Sequence, residues 1–319
     1  MDGCSTKEVY EPKVVQGEWK NVQSMKSEVV DVSSNVALLE NRKVLTKTQE
    51  LNITIPQDQR VISLSDGWVI SASIDGNLTL TSQQNPTEKK EFHLKKTIAA
   101  ASVDGDYLAV LFASNEMALY NINTQEILLK EEGGKSIAVN MNIQNPHFMN
   151  GLVIFPTLDG KIVIFNIELK KRLRTVIVSS EDFFNNIIYF DIIDNKIVAA
   201  SGYKILSLAQ KEIRQKYEIR NLVYDDRAIY INTKQGELLA LTPSLDVISK
   251  VKFPFAHFLG MIEDGEKLYI LEKEGYIIVV DKKSFDYTVH EIDLDDGFVF
   301  VGDKVFYVND MEVLLDSKK

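Results

Sequence analysis

Three residue types are scarce in this chain of 319 residues: it has one cysteine, two tryptophans and seven prolines. The single cysteine, Cys4, cannot close an intramolecular disulfide, so the fold must be held by packing alone. Nowhere do 18 apolar residues run consecutively, so no transmembrane helix is expected in the sequence as it stands. Positive charge is short as well. Against 46 Asp and Glu there are 36 Lys and Arg, giving a net charge of −10. That balance argues against a nucleic-acid partner, because neutralising phosphates needs clustered Lys and Arg. The one dense basic run, Lys170-Lys171-Arg172 with Arg174, falls where a solvent-facing strand is expected and reads as a solvated edge.

Motifs of catalysis are missing too. There is no Gly-x-Ser-x-Gly elbow, no glycine loop to cradle a phosphate and no paired-cysteine zinc motif. The four histidines, His93, His147, His257 and His290, lie far apart and none has a partner at metal-ligand spacing. Asp293-Leu294-Asp295-Asp296-Gly297 resembles the opening of a calcium loop, but Phe298-Val299-Phe300-Val301 continues as a strand and the glutamate such a loop requires is absent. No catalytic residue, metal site or cofactor is therefore assigned. A pair of hydrolytic carboxylates stays open, since 46 acidic side chains allow many pairings in space.

What the chain does have is repetition. An apolar strand, a tight polar turn and a second alternating strand recur as Ser73-Ile74-Asp75-Gly76-Asn77-Leu78, Thr157-Leu158-Asp159-Gly160-Lys161-Ile162, Thr233-Lys234-Gln235-Gly236-Glu237-Leu238 and Glu272-Lys273-Glu274-Gly275-Tyr276-Ile277. Weaker copies turn at Glu40-Asn41, Asn115-Glu116, Ser201-Gly202 and Asn309-Asp310, giving steps of 34 to 44 residues. One such unit cannot bury its own apolar face, so units of this size must stack side by side. Within a unit four strands are expected, for example Arg60–Ser65, Trp68–Ile74, Asn77–Ser82 and Glu88–Leu94. Four short antiparallel strands per repeat of about 40 residues define β-propeller blades. The expected fold is an all-β, eight-bladed propeller, with seven blades as the alternative.

The chain ends bear on the count. The last unit supplies three strands, Gly297–Val301, Lys304–Val308 and Glu312–Leu315, and the spare segment Lys13–Trp19 is expected to complete it and cover its open edge. Residues 13–319 are expected to form a single propeller domain. Residues 1–12 read as a polar tether after Gly3-Cys4-Ser5, which looks like the end of a lipoprotein signal and makes Cys4 the candidate lipidation site.

These blades, the completing N-terminal strand and the tethered cysteine resemble the quinoprotein-like propeller lipoproteins, whose blades carry PQQ-like repeats. The similarity runs from Lys13 to Leu315 as blade pattern. Tyr120-Asn121-Ile122-Asn123-Thr124-Gln125-Glu126 and Phe165-Asn166-Ile167-Glu168 are similar to that family's turn, but its repeated tryptophan is missing, leaving Ile, Leu and Phe to pack between blades. The resemblance implies a non-catalytic scaffold lipoprotein on the periplasmic side of the outer membrane, held there by its lipid alone. Its implied partners are envelope proteins, including an outer-membrane barrel assembly machine, with the chain acting as a monomer within a complex. Two alternatives stand beside it: a degenerate quinoprotein-type oxidoreductase or a hydrolase using channel carboxylates, and a cytosolic interaction propeller of the WD kind. The quinone and calcium of a catalytic relative would need adjacent cysteines and a tryptophan floor, which one cysteine and Trp19 and Trp68 cannot furnish.

Partner contacts are sought in links between strands that carry apolar side chains outside the alternation. Phe183 and Phe184, adjacent in the link Ser179–Asn186, are the first candidates. Phe148 and Met149, in the enlarged segment Asn142–Gly151, are the second.

Overall fold

The computed structural model describes residues 8–315, and Cys4 lies outside them. Every regular element is a strand, and the strands form eight four-stranded antiparallel sheets. The fold is an eight-bladed β-propeller. Blade two (Gln59–Ser65, Trp68–Ser73, Asn77–Ser82, Lys89–His93) falls within one or two residues of its expected strands. The two middle strands of a blade are covered on both faces and read as near-continuous apolar runs, such as Tyr107–Phe112. Fourth strands have one covered face, so Lys171–Ile177 in blade four is exposed along its length except at Val176.

The chain divides into two compact units. Ser27–Lys216 holds blades one to five, and Met1–Lys26 with Tyr217–Lys319 holds blades six to eight. Inside each unit, neighbouring blades share apolar layers. In the larger unit, Ile154, Ile162 and Val176 of blade four meet Ala199 and Leu206 of blade five. In the smaller one, Leu238, Ala240 and Tyr230 of blade six meet Met261, Leu268 and Ile270 of blade seven. Each fully buried Leu or Ile in such a layer contributes about 1.5–3 kcal/mol.

The recurring Gly turns join second and third strands. Gly76 and Gly236 have φ of 84° and 76°, and a Cβ there would meet backbone of Lys96 at 2.5 Å and of Phe253 at 2.1 Å, so only glycine fits. Three residues earlier a side-chain oxygen pins each turn. Ser73 Oγ accepts from the Asn77 amide at 3.2 Å, Thr157 Oγ1 from Lys161 at 3.0 Å and Thr233 Oγ1 from Glu237 at 3.2 Å. In blade seven the pin is Glu272, whose carboxylate accepts from the amides of Glu274 and His257.

Blade eight is completed by an N-terminal strand, as expected, but by a different one. Val22–Ser24 pairs antiparallel with Met311–Leu314, Val22 opposite Val313. The expected segment Lys13–Trp19 instead runs beside the last strand of blade seven, Tyr287–Glu291, through Gln16 N to Val289 O at 2.8 Å and Trp19 N to Glu291 O at 2.7 Å. The reason is Trp19, which fills the layer between blades seven and eight and donates its indole N–H to Leu314 O at 3.0 Å. Upstream, Tyr10 is buried edge-on against Phe253 and Tyr276.

Candidate functional site

The two longest links between blades both flank blade four, and they lie against each other. Residues 133–146 lead from blade three into blade four, and residues 178–186 lead from blade four into blade five. Asn186, fully buried, ties them. Its Oδ1 accepts from the Asn140 amide at 2.6 Å, while its Nδ2 donates to the carbonyls of Asn140 at 3.2 Å and Asn142 at 3.1 Å. The Phe184 amide donates to Ala138 O at 2.9 Å. Gln144 Nε2 donates to Ile188 O at 2.8 Å, and Asn145 Nδ2 to Ser34 Oγ at 2.5 Å.

Because the carbonyls of residues 138, 140 and 142 all face the second link, the intervening side chains are left outward. Ile137 is 72% exposed and Met141 75%, with Val139 partly exposed between them. Phe183 and Phe184 are 51% and 48% exposed on the adjoining link. Phe184 holds φ of 52°, a costly conformation for a bulky residue that the surrounding hydrogen bonds must hold in place. The result is a surface of five large apolar side chains on two mutually braced links. A rigid, exposed apolar surface of this kind is suited to bury against another protein.

The base of the second link is held as firmly. Asn185 Nδ2 donates to Asp159 O at 3.0 Å and Ser179 O at 3.1 Å. Burial pushes the Asp159 carboxyl up, but hydrogen bonds from Lys161, Thr157 and Asn115 outweigh it and hold it below the usual carboxylate range. Glu181 of the same link pairs with Lys204 at 3.2 Å.

The other candidates are placed differently. Phe148 and Met149 belong to the short first strand of blade four, His147–Met149, and both are half-buried. Phe148 packs against the apolar layer shared with blade three. His147 starts that strand, its ring 5.5 Å from Phe190 at the edge of a cavity of about 520 Å³. Ile137, Val139 and Met141 were not singled out by the sequence, although their i, i+2, i+4 spacing was the available signal. The basic run lies on an exposed fourth strand, with Arg172 paired to Glu131 and Arg174 to Glu212, each at 2.7 Å. Among the described residues, no group of three or more His, Cys, Asp or Glu is arranged to hold a metal ion.

Fold and surface together define an eight-bladed β-propeller with an exposed apolar surface on braced interblade links. The chain's fold matches that of BamB from Moraxella catarrhalis with a TM-score of 0.70, covering 92% of this chain and 98% of that one at 11% identity. It also matches the C-terminal WD40 domain of Sif2 with a TM-score of 0.68, covering 95% and 100% at 13% identity. Over 205 residues, 63% of this chain, it is 37% identical to the plasminogen-binding protein PgbB of Helicobacter pylori strain J99 and 36% identical to that of strain 26695. The match spans only 38% of the length of those two proteins. A scan against protein-family models finds no match.

Proposed function

We propose that this chain is a non-catalytic, protein-binding propeller of the cell envelope, and that Ile137, Val139, Met141, Phe183 and Phe184 form its contact surface. The observation that carries this reading is the exposure of both phenylalanines on a link tied down by the Phe184 amide and the side chains of Asn185 and Asn186. Their exposure is a property of an ordered surface. In its fuller form the proposal makes the chain a lipoprotein, anchored through Cys4 on the periplasmic side of the outer membrane, that scaffolds envelope proteins such as a barrel assembly machine. Likeness of fold to BamB supports the class of protein, and the PgbB match supports binding to another protein as the activity. PgbB is named for binding plasminogen, so plasminogen is the second partner to test.

Truncating a central interface aromatic typically costs about 2 kcal/mol or more, roughly a thirtyfold loss in affinity. Phe183→Ser with Phe184→Ser is expected to abolish co-purification of envelope partners, or capture of purified plasminogen, while shifting the melting midpoint little. A double variant that melts normally and keeps wild-type binding to every partner would move the contact surface elsewhere. One that melts many degrees lower would return the pair to the core.

A further inference from the structure

The first strands of six blades share a β-bulge at the same step. Register slips between Val29 and Asp31, Val61 and Ser63, Ile98 and Ala100, Ile187 and Tyr189, Ile219 and Asn221, and Phe258 and Gly260. A bulge takes its extra residue out of the ladder and re-aims the side chain. Val30, Ile62, Ala99, Ile188, Arg220 and Leu259 therefore hold equivalent positions. Five of the six are apolar, and Val30, Ile62, Ala99 and Leu259 belong to or pack on the layers between blades. Blade six alone places an arginine there.

Arg220 is half-buried, and its Nε is sealed from solvent without a hydrogen-bond partner among the described residues. The Oδ1 of the next residue, Asn221, is in the same condition. Burial alone acts on the guanidinium, pulling its pKa below the ordinary arginine value, with no carboxylate near enough to offset it. The other six arginines are all satisfied. Arg60, Arg172, Arg174, Arg214 and Arg227 bond to carboxylates, and Arg42 bonds to the carbonyls of Ile55, Pro56 and Gln59. In a chain with ten more acidic than basic residues, a carboxylate partner would be easy to supply. Desolvating a guanidinium without one is costly, and the position itself accepts Val, Ile, Ala or Leu in the other blades.

We propose that Arg220 anchors a binding site for a small oxyanion, a carboxylate or a phosphate, on the first strand of blade six. The guanidinium presents its donor edge to the anion, and such a planar fork matches both carboxylate and phosphate oxygens. Asn221 Oδ1, without a hydrogen-bond partner beside it in sequence, accepts from a hydroxyl or amide of the same ligand.

The test is a thermal-shift titration of the whole protein with sodium phosphate and, separately, sodium succinate, with sodium chloride holding the ionic strength constant. Wild type is expected to gain about 3 °C at a tenfold excess over the dissociation constant of the preferred anion. Phosphate alone acting assigns a phosphate site, and succinate alone a carboxylate site. Arg220→Leu, which copies Leu259 of blade seven, should lose the shift. No shift in wild type with either anion, or an undiminished shift in Arg220→Leu, would overturn the proposal. If Arg220→Leu does not fold, calorimetric titration of Arg220→Lys decides: at least a tenfold weaker affinity supports the site, and an unchanged affinity overturns it.

Discussion

Lys282 carries a full charge into the wall between blades six and seven, where its ammonium lies 2.5 Å from Asp225 and 2.6 Å from Glu263 and 5.7 Å from the centre of the Tyr230 ring. Burial pushes the Asp225 carboxyl up, but the Lys282 ammonium and the amides of Ala228 and Arg227 outweigh it and hold it below the usual range. A carboxyl whose folded pKa is depressed contributes stability that is fully present above its unfolded pKa, about 3.9, and is lost as pH falls through the folded value. Denaturant titrations from pH 7 to pH 2.5 are thus expected to show stability falling below about pH 4. Asp225→Asn should flatten that fall, and at pH 7 should cost about 3 kcal/mol by leaving the ammonium short of a partner. An unchanged acid limb in the variant would remove Asp225 from the account. None of this triad was legible in the sequence, because Asp225 and Lys282 follow the ends of two different strands and Glu263 lies within a third, far apart in the chain. Arg220 was hidden for a related reason: a bulge shifts a residue out of the alternation on which a reading of strands depends.

Strands and turns were read closely where apolar alternation and glycine turns coincide, as in Asn77–Ser82 of blade two, which matches its expected bounds. They were misread where neither signal operates. Val22, Gln23 and Ser24 are all exposed, so the strand completing blade eight has no apolar signature; what defines it is the bare edge of Met311–Leu314. The apolar Lys13–Trp19 was the more conspicuous segment and serves as a clamp. Three contacts fix that stretch: Tyr10 in its aromatic socket, the Gln16 and Trp19 amides on blade seven, and the Trp19 indole on Leu314. Removing residues 1–8 is therefore expected to leave the melting midpoint unchanged, and removing residues 1–24 to lower it by well over 10 °C or prevent folding. Trp19→Ala alone should cost about 3–5 kcal/mol by denaturant titration. Equal midpoints for the two truncations would show that the strand and clamp contribute nothing.

At the scale of the molecule, the repeat period and the three-strand C-terminal unit were enough to count eight blades. The proposed contact surface was half legible, since adjacent phenylalanines stand out in a polar link, whereas Ile137, Val139 and Met141 become a surface only when Asn186 turns the other link against them. The envelope assignment has its own test. Expressed from its native gene, the protein should fractionate with membranes, and Cys4→Ala should be released or remain unprocessed, because lipid attachment needs the thiol. Recovery of the native protein wholly in the cytosol would end the lipoprotein reading. The pairing of Val22 with Val313 also sets a clock on biogenesis. Val313 is made about 290 residues after Val22, a wait of roughly 15–60 s at about 5–20 residues per second. Until then blade eight cannot be finished, and a chain moved across a membrane in that interval travels before its most distant contact exists. Closure thus waits until both of these strands have been made.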